Sequence, residues 1–545
     1  MNKVAHYLQE HVVGEVMTSS DARKYFSTDN SIFNLTPSVI LYPKNENDVR
    51  KTARFTWQLA ERERVIPITA RGNGTDLTGA AIGSGIIMAY PAHLNHVQYF
   101  EAKEGIVTVE AGINFGKLQQ LLQTYGRFLP PAPASLEYSS VGGAVANNSS
   151  SIRSLKYGDM RTYVRSLRVV LANGEVIETG RLSKKELNRK LGLATFEGEI
   201  YRSVDTLLEE NKDLVNKSII NVTKNAAGYD LVDIKNNDGS FDLTPLFVGS
   251  QGTLGLITEI TMTTEPIGGD PSLITVYVDS IDAVQSIVLE LRKLDSLPSA
   301  IELVDDNLLS FVSSLNANYL KEVIAPPYPK FVLLIEVSNE KEYKLKKSLK
   351  AISKILNKFA QSFAIEDDPD KQKIIWKLRE SVSLLSGHNV GQLNPIPLID
   401  DGIVPVNKLA TLMSFIYSQF SKEHLQMALW GHVGDGNLHI QPYLNLGQVG
   451  DRQKAFRMLE DYQRQVRELG GSTTAQYNEG RLRGPFMEKL FTTEVYSLFQ
   501  KTKQIFDPYG TLNPGVKINV SIDEIKPLVR SEYSLDHVYD HLPLS

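Results

Sequence analysis

The first half of the chain alternates short apolar runs with longer segments in which apolar residues recur every three or four positions. The runs predict strands and the periodic segments predict amphipathic helices. The expected elements are strands at 39–43, 65–69, 85–90 and 106–111 and helices at 47–62 and 115–125. A hairpin is expected at 164–178, because Asn173-Gly174 is a typical two-residue turn sequence. This mixture, with glycine, serine and asparagine at the junctions, predicts an α+β fold.

The pattern changes after about Pro266, where apolar strands and amphipathic helices follow one another at regular intervals. The expected elements there are strands at 273–278, 300–304 and 330–337 and helices at 281–294 and 340–363. Two consecutive β-α-β units of this kind predict a ferredoxin-like sheet covered by helices. We therefore expect a separate α+β domain with its own hydrophobic core.

Composition limits the classes of function. The chain has 545 residues, a length that predicts two or three domains. Its formal net charge of −5 gives no basic footprint, so no nucleic-acid partner is expected. Because it has no cysteine, the chain cannot form disulfides, use a thiolate, or hold zinc or an iron–sulfur cluster through cysteines. No signal sequence or membrane helix is evident. The expected location is the cytoplasm, with peripheral contact at the inner membrane face left open.

Three glycine-rich segments carry the strongest chemical signal in the first half. They are 71–79 (RGNGTDLTG), 140–148 (SVGGAVANN) and 249–255 (GSQGTLG). Backbone N–H groups in such loops can converge on a pyrophosphate, and the missing side chains allow close approach. Each segment taken alone fits a tight turn equally well. None has the G-x-G-x-x-G pattern, which argues against a Rossmann-type NAD site.

Taken in order, the three segments resemble the FAD-binding domain of the vanillyl-alcohol-oxidase-like, or PCMH-type, flavoproteins. Residues 131–135, 157–158 and 225–229 fit the same resemblance. Within that superfamily the chain is similar to the D-lactate and glycolate dehydrogenase branch, from about residue 25 to residue 515. It resembles the flavin module of the large D-lactate dehydrogenases that carry an iron–sulfur tail, although it has no cysteines for such a tail.

The resemblance implies a two-subdomain PCMH-type FAD-binding domain and a ferredoxin-like α+β cap domain. The expected boundaries are 1–265 for the FAD-binding domain, 266–499 for the substrate or cap domain and 500–545 for a C-terminal segment that returns to the first domain. By resemblance, the residues that bind FAD are Arg71, Gly72, Asn73, Gly74, Thr75, Asp76, Pro133, Ser140, Gly142, Gly143, Asn147, Ser150, Tyr157, Gly249, Gly252, Thr253, Ile257 and Asn513. Some relatives bind flavin covalently through a histidine in the first loop, which has none here, so non-covalent FAD is implied.

The segment 431–439 (GHVGDGNLH) contains two of the ten histidines, His432 and His439. Neutral imidazoles at a glycine-rich turn can bind a divalent metal, although the spacing alone also fits two polar residues on a strand–turn–strand. By resemblance, the segment is the metal and active-site motif, in which both histidines and a later glutamate hold the metal, Zn²⁺ or Mn²⁺. Gln476 stands at the glutamate position here, Tyr477 replaces a histidine, and Glu479 is an alternative ligand. Because an amide is an uncharged ligand, we expect weak metal occupancy.

Arg379 lies in a predicted helix, where composition alone would suggest a solvent-facing charge. By resemblance, it matches the arginine that clamps the substrate carboxylate, and its planar fork of donors suits that task. Ser383, one turn later, matches a hydroxyl position. Ile399 stands where some relatives have a lysine.

Together these features predict an FAD-dependent dehydrogenase that oxidises a D-2-hydroxy acid, with D-lactate as the leading candidate, by hydride transfer to flavin N5. His439 is expected to be the base, and His432, Arg379 and Asn437 complete the catalytic set. Electrons would pass to a separate iron–sulfur protein, cytochrome or quinone, or to oxygen. Two alternatives stay open: a catalytically silent flavin-binding subunit of a larger oxidoreductase complex, and a flavin-dependent alkyl transferase on the same fold.

Overall fold

A computed structural model of the protein describes residues 3–338, 341–385, 388 and 392–533. Its first sheet has four strands, which lie in the order Glu15–Met17, Val39–Tyr42, Ile86–Ala89 and Ile68–Arg71. The last three run parallel to one another. The strand predicted at 65–69 begins at Ile68 instead, because Pro67 has no N–H to donate to a ladder.

The second sheet is antiparallel and carries the predicted hairpin. Its five strands lie in the order Val97–Glu101, Ile106–Glu110, Leu256–Thr263, Val164–Val170 and Val176–Glu178. The hairpin is confirmed, and its chain reversal uses Gly174 at a φ of 83°, a conformation that glycine adopts readily. A short ladder also pairs Arg127–Phe128 with Glu265–Pro266.

The third sheet lies in the second half of the chain and is antiparallel. Its seven strands lie in the order Ser362–Glu366, Ser272–Val278, Phe331–Val337, Ala300–Asp305, Met427–Gly431, His439–Leu444 and Asn394–Pro395. The first four have the strand order of a ferredoxin-like sheet, as predicted, and the last three extend it. The helix predicted at 340–363 ends at Phe359, because the edge strand of the sheet starts three residues later.

Helices cover these sheets and are held at their ends by polar side chains. Asn45, for example, caps one helix by accepting a hydrogen bond from the Asp48 N–H. The helices of eight or more residues are Lys3–His11, Glu46–Ala60, Phe115–Thr124, Lys184–Leu191, Phe196–Glu210, Ile281–Leu291, Asp306–Leu315, Glu342–Phe359, Pro369–Glu380, Leu409–Lys422, Val449–Glu468 and Thr493–Phe506. The shorter ones are Ser20–Tyr25, Val141–Asn147, Ser154–Tyr157, Met160–Tyr163, Lys212–Lys217, Thr244–Phe247, Gly480–Arg483, Met487–Leu490 and Ile522–Ile525.

Two large hydrophobic cores follow from this arrangement. One packs the first two sheets together, and it also buries Met487, Phe499, Phe506 and Leu512 from the end of the chain. The other packs helices against the seven-stranded sheet. The chain thus returns to the first core between about Met487 and Ile518, and Ile525 and Val529 then pack in the second core. Among the described residues, no helix is both long enough and apolar enough to cross a membrane.

Candidate functional site

A cavity of about 740 Å³ is lined by residues from both halves of the chain. This volume lies within the range of about 300–1,000 Å³ that is common for small-molecule sites. One wall consists of the glycine-rich loops around Gly72, Gly143 and Gly252, and we call it the glycine wall. Another part of the lining includes Arg379, His432 and other polar side chains, and we call it the charged wall. The fold therefore lines one cavity with two chemically different surfaces.

Backbone atoms form much of the glycine wall. A Cβ atom added to Gly143 would meet only the Ser140 hydroxyl, at 3.1 Å, and one added to Gly252 would meet only the Ala70 Cβ, at 4.0 Å. Both positions line the cavity, so a side chain there would enter it. Gly142 faces the other way, because its Cβ would lie 2.5 Å from the Ala111 carbonyl oxygen. Glycine at these positions keeps the cavity open and allows the loop to pack closely behind it.

Charged side chains in the glycine wall hold the loops to one another. The Asp76 carboxylate accepts hydrogen bonds from two backbone N–H groups of its own loop and from Asn147 Nδ2 at 3.1 Å. The Arg71 guanidinium donates to the carbonyls of Thr28, at 2.9 Å, and Ala81, at 3.2 Å. These bonds fix the loop shape before any ligand binds.

Most residues that the resemblance assigns to FAD line this cavity. They are Arg71, Gly72, Asn73, Gly74, Thr75, Asp76, Pro133, Ser140, Gly142, Gly143, Asn147, Ser150, Gly252 and Ile257. Four others, Tyr157, Gly249, Thr253 and Asn513, are not among its lining residues. The Asn513 amide donates to the carbonyls of Ala80 and Gln251 and so ties two loops together. Asn513 thus supports the glycine wall from behind.

Two histidines of the charged wall have the same arrangement. His432 and His439 flank a turn between two antiparallel strands. His432 Nδ1 lies 2.7 Å from a Glu302 oxygen, and His439 Nδ1 lies 2.6 Å from an Asp400 oxygen. A carboxylate can only accept, so Nδ1 carries the proton in each ring and Nε2 is left as an acceptor. Both Nε2 atoms lie near Gln476 Nε2, at 3.1 and 3.2 Å.

Asp401 places Gln476 between the two rings. One Asp401 oxygen accepts hydrogen bonds from the backbone N–H groups of Ala475, Gln476 and Tyr477, at 3.1, 2.9 and 2.6 Å. The same segment brings the Tyr477 ring against His439, with 5.1 Å between the ring centroids. A single buried carboxylate therefore shapes the loop that completes the histidine pair.

The two histidines differ in their access to the cavity. His432 lines it, whereas His439 is fully buried and its ring lies between Trp430 and Tyr477. Burial holds the pKa of His432 well below its usual value, and the nearby Lys224 ammonium lowers it further, so the ring is neutral and able to accept a proton. Of the two predicted catalytic histidines, His432 is thus the one that the cavity reaches.

Asn437, the fourth predicted catalytic residue, is fully buried and is not among the lining residues. Its amide nitrogen donates to the Gly402 carbonyl at 3.0 Å. This bond holds the turn between the two histidines against the Asp401-Gly402 segment. The structure thus places Asn437 behind the cavity lining, and its catalytic role stays a prediction.

Glu302 joins the predicted carboxylate clamp to the histidines. Arg379 lines the cavity from helix Pro369–Glu380, and its Nε donates to Glu302 Oε2 at 2.7 Å. The other oxygen of Glu302 binds His432. Burial raises the pKa of Glu302, and the Arg379 charge opposes that rise. Ser383 also lines the cavity, and its hydroxyl donates to the Glu380 carbonyl at 2.7 Å.

The donor set around the histidines does not fit a divalent metal. Within the part of the chain that the structure describes, no group of three or more His, Cys, Asp or Glu side chains is placed to hold one. Gln476 offers only an amide, and the Lys224 ammonium lies 3.2 Å from its oxygen. Glu479, the alternative ligand, binds Lys517 and the Gly228 N–H instead of facing the histidines. The predicted Zn²⁺ or Mn²⁺ site is therefore not supported.

Comparison with known proteins identifies the two halves of the chain. Residues 37–180 match the family of FAD binding domains, and residues 271–516 match the C-terminal domain of FAD linked oxidases. The chain belongs to the FAD-linked oxidase family. FAD is accordingly its cofactor. The glycine-rich loops that line the cavity allow a pyrophosphate to approach their backbone closely.

Individual relatives of this FAD-linked oxidase support the same assignment. The D-2-hydroxyglutarate dehydrogenase of Haemophilus influenzae is 27% identical over 94% of this chain and 51% of its own, so the chain spans about half the length of that relative. Glycolate oxidase subunit GlcD of Bacillus subtilis is 26% identical over 88% of each chain. The crystal structure of p-cresol methylhydroxylase has a TM-score of 0.69 at 13% identity, covering 96% of this chain and 97% of its own, which confirms the PCMH-type fold.

Four residues of the charged wall were missing from the sequence predictions. Glu302 interrupts the apolar strand Ala300–Asp305, and Asp400 and Asp401 directly follow an apolar run. A buried charge is rare unless it is paired, so a charged residue inside an apolar run is the signal that identifies such positions. Lys224 immediately precedes the segment 225–229. Nothing in the local sequence distinguishes it from a lysine on the surface.

Proposed function

We propose that this FAD-linked oxidase is a dehydrogenase of D-2-hydroxy acids. The observation that carries the proposal is the position of Glu302, whose two oxygens bind Arg379 and His432 at one wall of the cavity. A 2-hydroxy acid has a carboxylate next to its hydroxyl, and this wall offers a guanidinium next to an acceptor nitrogen. The relatives named D-2-hydroxyglutarate dehydrogenase and glycolate oxidase subunit GlcD support the same substrate class.

In this mechanism Arg379 orients the substrate and His432 takes its proton. Glu302 occupies the Arg379 Nε, so the two Nη groups would bind the substrate carboxylate as a pair of charged hydrogen bonds. The substrate hydroxyl would replace the Gln476 N–H at His432 Nε2 and transfer its proton there. Glu302, on Nδ1 of the same ring, would stabilise the resulting imidazolium. When bound, FAD supplies the hydride acceptor.

The side chain of the substrate would lie among large apolar groups. Trp376, Val382 and Trp430 line the cavity near Arg379. These surfaces accept a small or apolar substituent, which keeps D-lactate as a candidate. Because the chain holds no cysteine-ligated cluster, the electrons would pass to a separate iron–sulfur protein, cytochrome or quinone.

Anaerobic reduction of the flavin tests the proposal directly. The protein with bound FAD is mixed without oxygen with D-lactate, glycolate, D-2-hydroxyglutarate and the L-isomers of the chiral acids. We expect bleaching of the flavin absorbance with at least one D-acid or glycolate and much slower bleaching with the L-isomers. A flavin that stays oxidised with every acid, but is reduced by dithionite, would instead support a silent flavin-binding subunit.

The bond between protein and cofactor can be tested separately. The first glycine loop has Asn73, Thr75 and Asp76 where some relatives carry the histidine that binds flavin covalently. We therefore expect acid precipitation to release yellow FAD into the supernatant. Colour that remains with the washed pellet would show a covalent bond and contradict this prediction.

A further inference from the structure

A buried lysine lies on the far side of Gln476 from the histidine pair. The Lys224 ammonium donates to Ser150 Oγ at 2.9 Å, to Ser154 Oγ at 3.2 Å and to Gln476 Oε1 at 3.2 Å. Its side chain is 3% exposed, and its charge is balanced by Asp435, whose nearest oxygen is 3.6 Å away. The Lys224 charge is thus placed next to the charged wall and away from solvent.

The hydrogen bonds around Gln476 form one consistent set. Its amide nitrogen has two hydrogens, and the two imidazole Nε2 acceptors take both. Its oxygen accepts from Lys224 and from Ser150. Turning the amide over would set its oxygen against two nitrogen lone pairs and its N–H groups against an ammonium. The surroundings therefore fix the amide in the observed orientation.

This network occupies the position at which the Nε2 atoms of the two histidines would otherwise share a metal. A dication between the rings would have to displace the amide nitrogen, and it would then lie close to the Lys224 ammonium. Like charges repel strongly in a buried site, because little water is present to screen them. Glu302 and Asp400 cannot offset this repulsion as ligands, because each binds the opposite nitrogen of its ring.

We propose that Lys224 and Gln476 together replace a divalent metal in this protein. The amide holds the two imidazoles, as a metal ion bound to both would, and the Lys224 ammonium supplies a positive charge on the far side of the amide. Lys224 is therefore a positioning residue that acts through Gln476. The claim about metal exclusion depends only on this network, whereas any effect of Lys224 on turnover also rests on the proposed function.

Metal binding by a set of four proteins tests the proposal. Zn²⁺ and Mn²⁺ are titrated calorimetrically into FAD-loaded wild type, Gln476→Glu, Lys224→Met and the double variant, and dialysed samples are checked by elemental analysis. We expect no stoichiometric metal in the wild type. In Gln476→Glu the new carboxylate would pair with Lys224, so this variant should gain little affinity for the metal. The metal affinity of the double variant should rise about tenfold or more beyond the product of the two single effects, because the two substituted residues contact each other.

A matched lysine provides the control. Lys156 is exposed, and its ammonium binds Ser338 instead of Gln476. Gln476→Glu combined with Lys156→Met should therefore bind metal no better than Gln476→Glu alone. One tightly held metal per wild-type chain would overturn the proposal, as would tight binding by the single Gln476→Glu variant. Affinities in the double variant that are simply the product of the single effects would also overturn it. Tight metal binding by the wild type or by Gln476→Glu overturns the proposal even if the double variant does not fold.

Discussion

The two walls of the cavity reach rigidity by different means. The glycine wall uses backbone, with side chains omitted where space is needed, and its loops are tied together by hydrogen bonds such as those of Asp76 and Asn513. The charged wall uses side chains from distant parts of the sequence, such as Glu302, Arg379 and His432, which hold each other through charged hydrogen bonds. We therefore expect damage to the glycine wall to appear as lost FAD and damage to the charged wall as lost turnover with FAD retained.

The largest effect is expected for Gly142→Val in the glycine wall. Even the first carbon of the new side chain would lie 2.5 Å from the Ala111 carbonyl oxygen, which is backbone and cannot rotate away. Overpacking of this kind costs about 1–3 kcal/mol of folding free energy and is relieved by displacing the loop from the cavity, so FAD affinity should fall about a hundredfold. The measurement is bound FAD per protein after gel filtration. Gly268→Ala, whose added carbon meets nothing within 4 Å, is the control and should keep its FAD.

Arg379→Lys probes the charged wall and should give the next largest effect. Lysine keeps the charge but loses the paired donors, so transition-state stabilisation should fall by about 2 kcal/mol. This corresponds to a loss of roughly thirtyfold in kcat/KM for the acid that reduces the flavin. FAD content should not change. Lys373→Arg, an exposed change on the same helix, serves as the control. Kinetics equal to wild type would show that Arg379 does not bind the substrate. Loss of FAD would show that the charged wall also contributes to cofactor binding.

The same contrast explains how far the sequence could predict the molecule. The glycine wall is local, because the absence of side chains at Gly143 or Gly252 is visible in the sequence itself. The ferredoxin-like strand order also followed from two regular β-α-β units. The charged wall depends on residues 302, 379, 400, 432 and 476, which no short pattern connects. Resemblance supplied Arg379 and the histidines, but it could not show that Glu302 joins them or that His439 is sealed from the cavity.

Glu302→Gln tests whether one carboxylate serves both groups. The amide keeps one acceptor oxygen, but its N–H₂ would face either Arg379 Nε or His432 Nδ1, both of which donate. We expect a loss of about 1.4 kcal/mol, or tenfold in kcat/KM, with changes in both kcat and KM because substrate binding and proton transfer share this residue. Glu290→Gln, which alters an exposed pair with Lys293, is the control. An unchanged KM would show that Glu302 does not support Arg379.

The smallest effect is expected for Asp305, a buried carboxyl on the same strand as Glu302. Within the described structure, no arginine or lysine binds Asp305 as Arg379 binds Glu302. Asp305 is fully buried and accepts hydrogen bonds from the Leu308 N–H and the Tyr417 hydroxyl. Burial raises the pKa of Asp305 to about 7, although these hydrogen bonds oppose the rise.

Because the folded pKa of Asp305 is raised, the folded state binds the proton more tightly than the unfolded chain does. The contribution of this group to stability is therefore most favourable below the unfolded pKa of about 3.9 and is lost as the pH rises towards 7. Asp305→Asn stays neutral, so the wild type should lose about 2 °C of its Tm relative to the variant between pH 5 and pH 7. Differential scanning calorimetry of both proteins at the two pH values measures this difference. A constant difference in Tm would show that Asp305 is ionised throughout, and that hydrogen bonds alone can hold a buried carboxylate in this sheet as Arg379 holds Glu302.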